Sequence, residues 1–286
     1  TSLYARHTVG LGDPLTDDEV EADVAVDGFP RSLQAYVSRH GQQYFKIKVS
    51  NRLQHDIERL TRIAEIVQTY RGDKYHVTLD GNEQYKTIGD LIQLIEKIAS
   101  SEKLATFWKN TLLIEQPLAR AVALDESLAA DLHQLPGQKP VIIDESDGTL
   151  DSFTRAVQCG YRGVSTKNCK GPIKSILNAG VIWHLNRDHP GKYLMSAEDL
   201  CCVGVVALQA DLCLVAALGI EHVERNGHHY HPGLGYLPVS EQDAVLAAHD
   251  DLYERCGDVV APKLVDGKFR VGSLQCPGFG FAVGSC

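Results

Sequence analysis

The stretch YFKIKV, residues 44–49, decides the fold class of this chain. It reads as a strand, and its two lysines, two positions apart, share one face. Apolar residues then recur with a helical period of 3.6 across residues 52–70, for example at Leu53, Ile57 and Leu60. A second strand-like stretch, YHVTLD, follows at residues 75–80. A strand, a long amphipathic helix and another strand predict a parallel β-sheet.

The same alternation continues along the chain. Further strands are predicted at residues 112–115, 141–144, 163–167, 192–196 and 220–223, and helices at 87–101, 121–135, 150–159, 173–185, 200–218 and 240–256. With residues 3–9 and 35–40 as a first unit, eight units fill about 250 residues, which predicts an α/β fold of the TIM-type (β/α)8 barrel. We expect the barrel to span residues 1–257 and a tail, 258–286, to pack on it or on a capping domain. A doubly wound sheet would need a glycine-rich loop at its first βα turn, and none is present.

Composition narrows the classes of partner. The 286 residues carry a formal charge of −9 and have no basic stripe, which argues against nucleic acid as a partner. No apolar run approaches the ~18 residues of a membrane helix, and the first residues do not resemble a signal peptide. The eight cysteines are scattered and form no C-x-x-C pair, so we expect reduced thiols in a cytoplasmic protein. We also expect a homo-oligomer.

Charged residues end five successive predicted strands, 23 to 35 residues apart. They are Lys48, Asp80, Glu115, Asp144 and Lys167. A charge at the end of an apolar strand is costly unless it is paired or binds a metal. Because the carboxyl ends of barrel strands meet at one face, we expect these side chains to converge there.

The order of these charges suggests a chemistry. Three carboxylates from separate strands, those of Asp80, Glu115 and Asp144, would form an open site for Mg²⁺, with Mn²⁺ as a substitute. A nearby cation and desolvation favour a neutral amine, so Lys48 and Lys167 are candidates for general bases. Lys46 shares a face with Lys48 and is a candidate for binding a substrate carboxylate, although a plain salt bridge fits equally well. Glu145 alternates to the other face and is expected outside the ligand set.

These segments carry a resemblance. FKIK at 45–48, LDGN at 79–82, IEQP at 114–117, IDES at 143–146 and KNCKG at 167–171 resemble, in order, the motifs of the enolase superfamily and its mandelate racemase/muconate-lactonizing branch. The resemblance implies that Asp80, Glu115 and Asp144 bind Mg²⁺, and that Lys48 and Lys167 act as acid/base groups on opposite faces of a small carboxylate substrate. A lysine on the sixth strand is similar to the subgroup of cycloisomerases, succinylbenzoate synthases and dipeptide epimerases.

The chain departs from that family before its K-x-K strand. Only about 40 residues precede the K-x-K strand, where the family has a capping domain. We therefore expect the capping domain to be absent or truncated, with the chain either a fragment or closed by a different lid. Glu221 is a weak match to a strand-eight glutamate, and we predict that it contacts substrate. The histidines at 222, 228, 229 and 231 could suggest zinc, but their loop spacing does not favour it.

The expected reaction is metal-dependent removal of a carboxylate's α-proton with stabilisation of the enediolate, leading to epimerisation, cycloisomerisation or β-elimination. Two alternatives remain open. One is a metal-free lyase that forms a Schiff base through Lys167. The other is a non-catalytic metal-binding barrel that serves as a binding or assembly module.

Overall fold

The computed structural model describes residues 1–21, 28–133, 135–198, 203–225 and 233–280. In chain order, the strands β1 to β11 are Ser2–Val9, Tyr44–Lys48, His76–Asp80, Thr111–Glu115, Val141–Ile143, Gly163–Thr166, Leu194–Ala197, His222–Arg225, Tyr253–Cys256, Val259–Pro262 and Lys268–Arg270. The α-helices α1 to α10 are Leu33–His40, Leu53–Arg71, Ile88–Ser100, Ala105–Lys109, Arg120–Ala123, Ala129–His133, Ser152–Gln158, Pro172–Asp188, Val206–Ala217 and Val239–Ala248. No helix among the described residues has both the length and the hydropathy needed to cross a bilayer.

The chain forms two compact units. Unit 2, as we call the segments Val9–Gly12 and Phe45–Ser196, holds a sheet whose strands are hydrogen-bonded in the order β2, β3, β4, β5, β6, β7. The β3/β4, β4/β5 and β5/β6 pairs are parallel, with helices in the connections. Six strands that pair in chain order, with helices between them, have the strand order of a β/α half-barrel. The predicted α/β class with a parallel sheet is therefore confirmed, whereas closure of eight strands stays a prediction.

Parallel pairing in unit 2 brings the strand ends together. In the β3/β4 register Asp80 lies opposite Glu115, and both residues close their strands. Asp144 follows β5 by one residue, and Lys167 follows β6 by one residue. The buried apolar residues of these strands, such as Ile47 and Ile142, are 0% exposed and anchor the charged ends against the core.

Unit 1, as we call the remaining segments, is built around β1. That strand pairs in parallel with β8 and antiparallel with β11. Its core includes Leu3, Val223 and Phe269, each 2% exposed or less. The predicted helix over 240–256 is wrong in its second half, where α10 stops at Ala248 and β9 begins at Tyr253.

A hairpin explains this difference. Residue Cys256 of β9 pairs with Val259 of β10 through a turn at Gly257, whose φ is +57°. Glycine adopts this left-handed conformation at little cost. The turn permits the two strands to pair, and the local sequence pattern does not predict that pairing. The hairpin runs across residue 257, and both of its strands belong to unit 1. The predicted boundary between a barrel and a tail at that position stays a prediction.

His40 supplies a prediction of pH dependence for unit 1. It ends α1, with its ring edge-on to Tyr36 at 5.7 Å between centroids. Burial, aided by the charge of Arg39, lowers the pKa of His40 from 6.5 to about 4. At pH values between 4 and 6.5 the unfolded chain binds a proton at residue 40 more readily than the folded protein does. The contribution of neutral His40 to the free energy of unfolding is therefore complete above pH 6.5 and is lost as the pH falls towards 4.

We expect His40→Gln to reduce the difference in unfolding free energy between pH 7 and pH 5, measured with urea. His184→Gln, at an exposed position of α8, is the matched control and should keep the wild-type difference. Equal pH dependence in wild type and His40→Gln would contradict the prediction.

Candidate active site at the strand ends of unit 2

The two lysines of β2 lie at different depths. Lys46 is 1% exposed, and its Nζ lies 2.9 Å from Asp80 Oδ2 and 3.1 Å from Glu115 Oε2. Lys48 is 22% exposed, and its Nζ donates to the same Asp80 Oδ2 at 2.5 Å. Lys46 therefore bridges two buried carboxylates, a placement that favours its salt-bridge role over the predicted contact with substrate. Lys48 is the lysine of this strand that solvent reaches.

A close crossing of two loops fixes the end of β3. Asp80 Oδ1 accepts a hydrogen bond from the backbone N–H of Asn82 at 2.8 Å, and Gly81 N donates to Glu115 O at 3.0 Å. A Cβ placed on Gly81 would come within 2.5 Å of the Cα of Pro117. Because that contact is shorter than any normal packing distance, glycine is required where these chains cross.

Gln116 holds the loop that carries Asp144. Its side chain is 0% exposed, and its Oε1 accepts from the backbone N–H groups of Asp144 and Ser146, at 2.8 and 3.2 Å. Its Nε2 donates to Leu118 O and to Ser146 Oγ, each at 2.8 Å. Four hydrogen bonds from one buried amide orient the end of β5, since each unmade bond would cost about 1–3 kcal/mol. Sequence reasoning assigned Gln116 no role; the signal was an amide directly after a strand-ending glutamate.

Asp144 is the centre of the second ion-pair group. It is 3% exposed, and Lys167 Nζ lies 2.6 Å from its Oδ2. Lys170 Nζ lies 2.7 Å from its Oδ1. The structure thus brings together the predicted carboxylates and both predicted lysines at the same edge of the unit 2 sheet.

Glu145 lies beside this group. Its Oε1 accepts from Asn82 Nδ2 at 2.6 Å, which ties the β5 loop to the β3 loop. Burial, followed by the negative charge of Asp144 and then that of Asp80, raises the pKa of the Glu145 carboxyl above its usual value. Its position agrees with the expectation that Glu145 supports the site from outside the ligand set.

The donor set is compatible with a hard divalent cation. Glu115 and Asp144 each offer a buried carboxylate oxygen, and these atoms lie within 4.8 Å of one another. Asp80 lies opposite Glu115 in the sheet register and shares Lys46 with it. Magnesium and manganese bind oxygen donors of this kind. Ammonium groups contact the same carboxylates, so a metal ion would compete with Lys46, Lys48 and Lys167 for them.

Buried carboxylates also lie in unit 1, among them Glu198 and Glu224. Glu221 precedes β8 and so lies at its amino end, and its predicted contact with substrate stays a prediction. Glu224, 8% exposed, is inside β8 and accepts from Thr8 Oγ1 at 2.7 Å. Glu198, 3% exposed, follows β7 and forms a parallel bridge with Glu224. Sequence analysis missed Glu224 because the predicted strand 220–223 ended too early, and it missed Glu198 because the predicted strand 192–196 ended two residues before it.

The remaining sequence candidates add little. Of the four histidines considered for zinc, His222 begins β8. Its Nδ1 lies 2.6 Å from Nη1 of Arg6. The other three, at 228, 229 and 231, fall outside the described residues. Five cysteines are described, and all are free thiols: Cys159, Cys169, Cys213, Cys256 and Cys276.

Comparison with solved structures finds proteins whose fold is similar to that of this chain. A mandelate racemase/muconate lactonizing protein from Herpetosiphon aurantiacus matches 78% of this chain and 55% of its own, with a TM-score of 0.54 at 17% identity. A 3,6-anhydro-D-galactonate cycloisomerase from Zobellia galactanivorans matches 98% of this chain and 63% of its own, with a TM-score of 0.58 at 15% identity. An enolase from Agrobacterium radiobacter, with bound sodium and L-malate, matches 78% and 51%, with a TM-score of 0.51 at 16% identity.

At these identities the likeness shows the fold alone. At that level it confirms the resemblance to the mandelate racemase/muconate-lactonizing branch that the sequence motifs predict. This chain spans between half and two thirds of the length of those proteins. No protein-family model matches the chain, and no curated protein does.

Proposed function

We propose that this chain catalyses metal-dependent abstraction of the α-proton of a small carboxylate, followed by epimerisation, cycloisomerisation or β-elimination. One observation carries the proposal. Lys48 and Lys167, from different strands of unit 2, each contact a buried carboxylate, and these carboxylates belong to a set of three at one sheet edge.

The two lysines suit proton transfer better than Lys46 does. Lys48 keeps 22% of its side chain exposed and Lys167 keeps 10%, against 1% for Lys46. A general base must come within hydrogen-bonding reach of the proton that it removes, so some access is required. We assign Lys48 and Lys167 to acid/base roles and Lys46 to bridging Asp80 and Glu115.

Asp80, Glu115 and Asp144 would hold Mg²⁺ or Mn²⁺. A divalent cation there would bind the substrate carboxylate and offset the negative charge that develops on it when the α-proton leaves. The similar structures described above include a cycloisomerase and a protein with bound L-malate, which supports a small carboxylate as substrate. We further propose a homo-oligomer located in the cytoplasm. Closure of the barrel by all eight units belongs to the same proposal.

Solvent exchange tests the proposal directly. The chain is incubated in D₂O with Mg²⁺ and a library of small carboxylic acids, and loss of the α-proton signal is followed by proton NMR. We expect exchange with at least one acid and its loss when EDTA is added. Exchange that survives EDTA would contradict the metal-dependent mechanism.

Two other outcomes identify the alternatives. Trapping of a substrate on Lys167 by borohydride, with no need for metal, would show a Schiff-base lyase instead. Metal binding without any exchange across the library would indicate a non-catalytic barrel. The three buried carboxylates of Asp80, Glu115 and Asp144 favour the metal-dependent reaction, since an imine mechanism does not require them.

A further inference from the structure

Lys170 is a charged residue to which the proposed mechanism gives no role, and its ammonium group is unusually well placed. Its Nζ donates to Asp144 Oδ1 at 2.7 Å, to the backbone carbonyl of Asp144 at 2.7 Å, and to Ser165 O at 3.0 Å. An ammonium group has three protons to donate, so these three acceptors account for all of them. Lys170 thus ties the end of β5 to β6 through a single group.

The turn after β6 explains why two lysines reach one aspartate. Residues Asn168–Lys170 form a 3-10 turn in which Lys170 N donates to Lys167 O at 3.0 Å. In such a turn the side chains at positions i and i+3 lie on the same side. Lys167 and Lys170 therefore both point at Asp144, one at each oxygen. Gly171, with φ at +99°, ends the turn before α8.

A second ion pair, between Lys174 and Asp147, lies next to Lys170. Lys170 Nζ lies 4.0 Å from Asp147 Oδ2, and Lys174 Nζ lies 3.1 Å from that same oxygen. Asp147 is 3% exposed and Lys174 8%, so this pair is buried as well. Acid and base alternate from Lys167 through Asp144, Lys170 and Asp147 to Lys174. This row places the Lys170 ammonium group between two carboxylates and limits its movement.

We propose that Lys170 is the positioning residue for Asp144. It fixes Oδ1, so that Oδ2 would be the oxygen offered to a divalent cation, in competition with Lys167. This inference rests on the proposed function and deepens it by dividing the two oxygens of one ligand between two tasks. A carboxylate that ligates a metal is commonly held by a hydrogen bond to its other oxygen, and loss of that partner costs about 10–100-fold in metal affinity.

Binding of Mn²⁺ alone, followed by electron paramagnetic resonance on the full chain, tests the inference without a substrate. We expect Lys170→Met to weaken Mn²⁺ binding by about 10–100-fold. Lys170→Arg keeps the charge and the donors, so it should recover part of the affinity. If Lys170 acted only as a competing positive charge beside the metal, Lys170→Met would bind Mn²⁺ more tightly.

Lys174→Met is the matched control. It breaks a buried lysine–aspartate pair in the same region but removes no contact with Asp144, so its Mn²⁺ affinity should stay near the wild-type value while its stability falls. Urea unfolding of each variant separates loss of fold from loss of position, and Lys170→Arg serves if Lys170→Met does not fold. Unchanged or tighter binding in a folded Lys170→Met overturns the inference and leaves the proposed function standing. Absence of Mn²⁺ binding in wild type overturns both.

Discussion

Lys48→Ala and Lys167→Ala are each expected to abolish turnover, but to differ in the proton exchange that remains. If the reaction moves a proton from one face of the α-carbon to the other, each lysine serves one face. Lys48→Ala should then still exchange the α-proton of one stereoisomer, and Lys167→Ala that of the other. Each loss of turnover should be at least ~10²-fold, the lower end for a general base. Exchange of each pure isomer in D₂O, followed by NMR, gives the measurement.

The pattern also identifies the type of reaction. In an elimination or cycloisomerisation one lysine is the base and the other only balances charge, so a single variant should lose all exchange. Lys86→Ala is the control, because Lys86 is exposed and follows β3 in unit 2. Turnover near the wild-type rate in both alanine variants would leave Lys48 and Lys167 as structural charges and would refute the mechanism.

Asp80→Asn is expected to weaken Mg²⁺ binding sharply while the fold persists. The change removes one negative charge and little volume, and Mg²⁺ strongly prefers carboxylate oxygens. Loss of a direct ligand should exceed the ~10–100-fold that loss of a ligand's own partner costs. Titration calorimetry with Mg²⁺ gives the affinity. Lys46 keeps Glu115 as its partner in this variant, whereas Lys48 loses the contact with Asp80.

That lost contact predicts a second, smaller effect. Lys48 is partly exposed, so solvent can take over its charge, and the free energy of unfolding should fall less than for a fully buried pair. Asp73→Asn, at an exposed position of the same unit, is the control for both measurements. Unchanged Mg²⁺ affinity in a folded Asp80→Asn would remove Asp80 from the ligand set.

Much of unit 2 could be read from local pattern. Strands β2 to β7 each overlap a predicted strand, because a buried parallel strand is a short apolar run and a covering helix has a 3.6 period. The positions of Asp80, Glu115, Asp144 and Lys167 followed from the same reading, since charge is rare where an apolar strand ends. The convergence of the five charged residues at one edge of the sheet could be predicted because parallel strands share a direction.

Local sequence pattern predicted the elements of unit 1 less well. The predicted helix over 240–256 ends at Ala248, and its last residues form a hairpin with residues beyond it. The boundaries of β8 were also shifted, which concealed Glu224 and misplaced Glu221. Strand pairing between distant segments determines such boundaries, and a single strand carries little of that information.

The amino-acid sequence by itself determined the βα order of unit 2, the strand ends and the residue types that stand there. The tertiary structure alone decided how those groups pair. Lys46 and Lys48 share one face of one strand, and only packing makes the first a buried bridge and leaves the second open to solvent. Likewise, only the turn after β6 brings Lys170 to the second oxygen of Asp144. Ion pairs and hydrogen bonds act over a few ångströms between residues tens of positions apart, so their partners exist only once the chain has folded.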